Sequence, residues 1–178
     1  MRPFPTLTTE RLILNQFQKE DISSLVLYAN NPKVADMTSN IPHPYTLQHG
    51  KMWIKNTQKG FEKDALYAFA IRLQTTQEFI GGMGLSIDTQ NNHAELGYWL
   101  AEPFWGKGYA TEAAKKILEF GLTKLQLHRI YATHFAHNTP SGKILQKIGM
   151  IQEGILKEHA KKGEKYYDLI QYGIVNKM

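Results

Sequence analysis

The string WGKGYA at residues 105–110 places Gly106 and Gly108 on either side of Lys107, with Tyr109 and the small Ala110 following. Glycines let a backbone turn sharply and bring bare N–H groups close to a ligand. The spacing from Ala110 to about residue 124 reads as a helix. A helix start leaves its first N–H groups unpaired at the positive end of the helix dipole. Lys107 adds a full positive charge at the same place. Strand, glycine turn and helix together make a cradle for a phosphate or pyrophosphate.

Two kinds of phosphate cradle do not fit. No G-x-x-x-x-G-K-[ST] string occurs, which removes the P-loop. A dinucleotide fingerprint needs a third small residue one position later than Ala110 and an acid at the end of the next strand. No Asp or Glu lies between Glu119 and Glu153, so the ribose partner is missing. A glycine turn that merely starts a helix is the plain alternative.

The elements that must position this turn can be placed from pattern. Residues 8–17 read as a strand, 22–29 as a helix, 33–39 as a short helical piece, and 47–61 as a helix capped by Thr46. Residues 66–73, 78–88 and 93–100 read as three strands joined by short turns, an antiparallel meander whose middle strand is loosened by Gly81, Gly82 and Gly84. After the turn and its helix come a strand at 129–135, a short helix capped at 138–141 and ended by Gly149, and strands at 150–157 and 165–175. The fold class expected is α/β with mixed character: about seven strands, mostly antiparallel, with helices on both faces. One domain is expected over 1–178, with its core at about 8–176.

Composition bounds the class. The 178 residues carry a net charge of +5 and no cysteine, which removes disulfides, thiol nucleophiles and Cys-based metal sites and favours anionic ligands. No apolar run is long enough for a membrane span and the N-terminus lacks a signal peptide's apolar core, so a cytoplasmic protein is expected. The histidines show no metal spacing, and no metal is expected.

Five stretches in order resemble the GNAT superfamily of N-acetyltransferases, in its RimJ/RimL-like ribosomal-protein-alanine branch. They are TTERLIL at 8–14, IGGMGL at 80–85, AELGYWL at 94–100, WGKGYATEA at 105–113 and HNTPSGKILQKIGMIQEG at 137–154. The family's turn is [Q/R]-x-x-G-x-[G/A], and Trp105 departs from it at the first position. The resemblance implies transfer of an acetyl group from acetyl-CoA to a primary amine, either a protein N-terminus or a small amine. It also implies a splay between the fourth and fifth strands, with the pantetheine arm lying beside the backbone of Tyr98, Trp99 and Leu100. The pyrophosphate would rest on the turn from Trp105 to Ala110, with the Thr111 hydroxyl as a further donor.

Strand alternation puts His93, Glu95, Gly97 and Trp99 on one face. If that face opens on the cleft, Glu95 can take the proton of the amine, directly or through water; Glu158, His159 or water alone are the alternatives, because some relatives use a sixth-strand glutamate where this chain has Ala160. Asn138 and Ser141 read first as helix caps. The resemblance makes Asn138 a pantetheine contact and Ser141 a proton donor near the sulfur. Two other classes stay open: a coenzyme A binder without catalysis, favoured by Ala160 and Trp105, and a basic ribosome- or RNA-associated module, hinted by the basic turn beside Tyr166 and Tyr167. Partners expected are acetyl-CoA and the amine acceptor, with nucleic acid met only through the ribosome, in a monomer or homodimer.

Overall fold

The computed structural model describes residues 2–177; Met1 and Met178, the ends of the expected domain, lie outside the described residues. The elements run β1 (Leu7–Thr8), β2 (Leu12–Gln16), α1 (Ile22–Ala29), α2 (Pro32–Asp36), α3 (Leu47–Glu62), β3 (Leu66–Leu73), β4 (Phe79–Asp88), β5 (His93–Leu100), α4 (Tyr109–Thr123), β6 (Arg129–Phe135), α5 (Thr139–Lys147), β7 (Ile151–Lys162) and β8 (Lys165–Val175). Among the described residues the strands form one eight-stranded sheet in the order β1-β2-β3-β4-β5-β6-β8-β7. The count exceeds the expected seven because the first strand is broken: Thr9 N donates to Leu12 O at 2.9 Å, a turn that separates β1 from β2. β7 also runs on through the expected basic turn to Lys162, with its register shifted between Leu156 and Ala160. The expected splay between the fourth and fifth strands therefore falls between β5 and β6.

The sheet has a core on each face, and β3 shows why. Its LYAFAIRL pattern sends Tyr67, Phe69 and Ile71 to one side, where they meet Phe120 and Ile117 of α4 together with Leu85, Leu96 and Ile130. Ala68 and Ala70 face the other side, with Phe17, Leu25, Ile54 and Phe79. A strand covered on both faces is apolar at nearly every position, as here. The helices divide accordingly: α4 and α5 on the first face, α1 and α3 on the second. Asp21, 4% exposed, accepts from Arg72 Nη2 at 2.7 Å and pins the start of α1 to β3.

β4 is one strand, with a single bulge against β3 at Ile80, next to Gly81. Its glycines answer to space: a Cβ at Gly82 would stand 2.9 Å from the Phe17 ring and 3.1 Å from Trp99 Nε1. A bare backbone there lets both aromatic rings close over the strand.

Candidate active site

β5 and β6 run parallel, and their pairing covers His93 with Arg129, Ala94 with Ile130 and Glu95 with Tyr131, then ends. Beyond Glu95, β5 keeps β4 as its strand partner and β6 keeps β8. The sheet opens between residues 96–100 and 132–135, leaving one edge of β5 without a strand partner. The lips of this opening line a cleft of about 330 Å³ that also takes in residues 37–41.

The glycine turn begins five residues beyond Leu100. Gly106 (φ +74°) and Gly108 (φ +81°) both have left-handed backbones, and Gly108 stands at the N-cap of α4. The helix's first bond runs from Glu112 N to Gly108 O at 3.0 Å, so the N–H groups of Tyr109, Ala110 and Thr111 have no intrahelical acceptor. Lys107 is exposed, its amine 5.5 Å from the Phe104 ring centre. The departure at Trp105 has a local explanation. Its indole Nε1 donates to Leu100 O at 2.8 Å and ties the turn to the end of β5. One acceptor of the Leu100 carbonyl is thereby used within the protein.

Alternation on β5 is as expected: Ala94 and Leu96 are buried in the core, while Glu95, Gly97 and Trp99 line the cleft. Thr133, on the opposite lip, donates its hydroxyl to Glu95 Oε1 at 3.2 Å. Among the cleft's lining residues Glu95 is the one carboxylate, and no Lys or Arg joins it. Glu158 and His159 sit exposed at the irregular stretch of β7 and do not line the cleft. Aromatic walls come from Phe17, Tyr45, Trp53, Tyr98, Trp99 and Phe135.

Ser141 and Tyr98 meet across the opening. The two hydroxyl oxygens are 2.6 Å apart, and Tyr98 Oη is also 3.3 Å from Ser141 O. Burial pushes the Tyr98 phenol up to about 12, against the opposing pull of the Ser141 hydrogen bond. Asn138 caps α5 through Oδ1, which accepts from Ser141 N at 3.3 Å, and its Nδ2 donates to Met37 O at 3.0 Å. Its amide thus links the start of α5 to the segment after α2. That segment is also held from β7: Lys162 Nζ donates to Ala35 O and, at 2.7 Å, to Thr38 O. His137 Nε2 donates to Asp36 O at 3.2 Å.

Pattern reading missed Thr133, the Tyr98 side chain, Lys162 and His134. Thr133 shares a face of β6 with Tyr131, the register partner of Glu95, and that register leaves no mark in the sequence. The other three depend on which distant elements meet. His134, 6% exposed, donates from Nδ1 to Phe135 O at 2.8 Å, while its buried Nε2 has no partner among the described residues.

The acetyltransferase (GNAT) domain model matches residues 11–151, and the chain belongs to that family. It is an acyltransferase that takes acetyl-CoA as its acetyl donor. The N-acetyltransferase p20 of Bacillus licheniformis, itself uncharacterized, is 34% identical over 97% of each chain. The alanine N-acetyltransferase of ribosomal protein uS5 from Escherichia coli K12 is 26% identical over 88% of this chain and 84% of its own, so the relatives include the ribosomal-protein branch. A GNAT-family acetyltransferase structure from Bacillus anthracis superposes with a TM-score of 0.87 at 25% identity, covering 98% of this chain and 100% of that one. Among the described residues no helix is long and apolar enough to cross a membrane.

Proposed function

We propose that this chain acetylates a primary amine held in the aromatic cleft, with donor and acceptor meeting where β5 and β6 part. The observation that carries the reading is the opening itself. It joins a turn of unpaired N–H groups to a cleft whose one carboxylate, Glu95, stands on its lip.

In this reading the pyrophosphate rests on the N–H groups from Gly106 to Ala110 and the Thr111 hydroxyl, with Lys107 as counter-charge and Trp105 as the brace of the turn. The pantetheine arm lies along the free edge of Tyr98, Trp99 and Leu100 and passes Asn138. Glu95 takes a proton from the ammonium, directly or through water, and frees the nitrogen lone pair. The nitrogen attacks the thioester carbonyl carbon; the C–N bond forms as the C–S bond breaks. Backbone N–H groups of the free edge stabilise the oxygen as it gains charge. The departing thiolate takes a proton from the paired hydroxyls of Tyr98 and Ser141; the acylated nitrogen sheds its second proton to water, and water restores the proton of the pair. Burial raises the Tyr98 phenol to about 12, so the pair holds its proton at neutral pH until the sulfur gains charge.

A cleft with one carboxylate, six aromatic residues and no Lys or Arg suits an amine attached to an apolar body. The likeness to the uS5 acetyltransferase makes a protein N-terminal alanine, presented in the cytoplasm, the first acceptor to try. The test is calorimetric titration with acetyl-CoA beside a thiol-release assay over N-terminal peptides and small apolar amines. Micromolar binding with release that depends on the amine is the expected result. Binding with no release on any amine would count against the catalytic roles given to Glu95, Tyr98 and Ser141.

A further inference from the structure

The TTERLIL stretch reaches the cofactor end of the molecule. Thr9 and Arg11, in the turn between β1 and β2, pack against the first turn of α4. Arg11 Nη1 donates to Lys107 O at 3.0 Å. Its Nε donates to Glu112 Oε2 at 2.7 Å, with Nη2 2.6 Å from the same oxygen. Arg11 N and Thr9 Oγ1 donate to Glu112 Oε1 at 2.9 and 2.6 Å. The guanidinium lies over the Tyr109 ring, 4.6 Å from its centre.

Two physical consequences follow for the turn. A trans peptide is planar, so its C=O and N–H point in opposite directions. Holding the Lys107 carbonyl toward β2 turns the Gly108 N–H to the other side of the turn. The second consequence is electrostatic. Glu112 stands in the first turn of α4. Burial would raise its carboxyl, but the hydrogen bonds from Thr9 and Arg11 outweigh that and hold it below the usual range, so it is ionised. An uncompensated carboxylate there would repel a pyrophosphate; Arg11 cancels it.

We propose that Arg11 is a positioning residue for the donor site: it aims the Lys107–Gly108 peptide and neutralises Glu112, so that the turn accepts a pyrophosphate. The proposal rests on the reading of residues 106–110 as the pyrophosphate site.

The test compares acetyl-CoA with acetylpantetheine, which keeps the thioester and arm and lacks the pyrophosphate. Dissociation constants come from calorimetry and KM and kcat from thiol release. The proteins are wild type, Arg11→Gln, Arg11→Lys, Glu112→Gln and the Arg11→Gln/Glu112→Gln double variant, each checked by its melting temperature. Arg11→Gln is expected to raise Kd and KM for acetyl-CoA roughly tenfold, with kcat and all acetylpantetheine constants little changed. The double variant regains the charge part of the loss and keeps the geometric part. Arg11→Lys retains the charge without the fork and falls between. Unchanged acetyl-CoA binding in a folded Arg11→Gln protein, or equal losses on both donors, overturns the proposal. A wild type that binds acetylpantetheine as tightly as acetyl-CoA overturns the pyrophosphate reading beneath it instead.

Discussion

In the proposed reading the cleft has a donor end and an acceptor end, and the two are made in different ways. β5, the glycine turn and α4 are consecutive in the chain, and their geometry follows from local rules: two left-handed glycines, a helix start and a free strand edge. The acceptor wall is assembled from distant pieces. Lys162 reaches Ala35 and Thr38 across 127 and 124 residues, and His137 and Asn138 each reach back 101 residues to the segment that follows α2. All three side chains cap carbonyls at or just beyond one helix C-terminus, where donors are favoured. A donor site built locally can be shared by many relatives, while an acceptor wall built from long-range struts can be reshaped by changing any one of them.

Glu95 stands where the two ends join, and its loss is expected to have the largest effect. Glu95→Gln keeps the shape and the Thr133 hydrogen bond but removes the base. kcat should fall by about 10²–10⁴, the range for a positioned general base, with the acetyl-CoA dissociation constant unchanged. Steady-state kinetics beside calorimetry separates the two. A variant that keeps wild-type kcat would move the base role to water.

Local construction also explains what the sequence disclosed. The turn at 105–110, the start of α4 and the cleft-facing side of β5 could be read because glycine placement, capping and period-two alternation act over a few residues. The strand count missed by one because the Thr9 turn falls in the polar run Thr8–Arg11, which carries no apolar pattern to show where pairing breaks. Glu158 and His159 stayed open as bases because the bulge that turns them outward leaves no mark in composition. The pairing of the Tyr98 and Ser141 side chains was hidden for a similar reason. It depends on where α5 settles over the opening, and nothing within either segment sets that.

The Tyr98–Ser141 pair sharpens the comparison from the donor side. Tyr98→Phe and Ser141→Ala are each expected to lower kcat roughly tenfold to a hundredfold. The double variant should fall short of the product, since the two hydroxyls act as one unit across 2.6 Å. Because the phenol is held near 12, the pH–rate profile should show no alkaline fall from Tyr98 below about pH 10. An alkaline limb near pH 8 that disappears in Tyr98→Phe would contradict that.

Lys162 tests the acceptor side. Burial lowers its amine below the usual lysine range, yet it is spent on the carbonyls of Ala35 and Thr38. Lys162→Met keeps much of the side chain's bulk and releases the strap. The acceptor KM is expected to rise by roughly fivefold to tenfold, about 1–1.4 kcal/mol, only part of what the two lost hydrogen bonds contribute, with acetyl-CoA binding unaffected. Equal losses for donor and acceptor would mean that the two ends are not built independently.

The smallest effect is expected at His134, on the seam between β6 and α5. Its Nδ1 donates to Phe135 O, and a Cβ on Gly142 would stand 2.9 Å from the bare Nε2. Burial, with the nearby His137 adding to it and the Phe135 hydrogen bond opposing it, lowers this imidazole below its ordinary 6.5. In the unfolded chain the same side chain takes up its proton near 6.5, so acid favours unfolding. The stability that His134 contributes is complete above about pH 6.5 and is lost progressively as pH falls toward the lower folded value. The melting temperature of the wild type should therefore drop between pH 7 and 5, and His134→Gln should flatten that slope. In the proposed reading α5 carries Ser141 beside the sulfur and starts at Asn138, whose Nδ2 holds Met37 O, so this seam touches both ends. Loosening it in acid should raise the acetyl-CoA Kd and the acceptor KM together; a change in one alone would mean that the seam serves that end only.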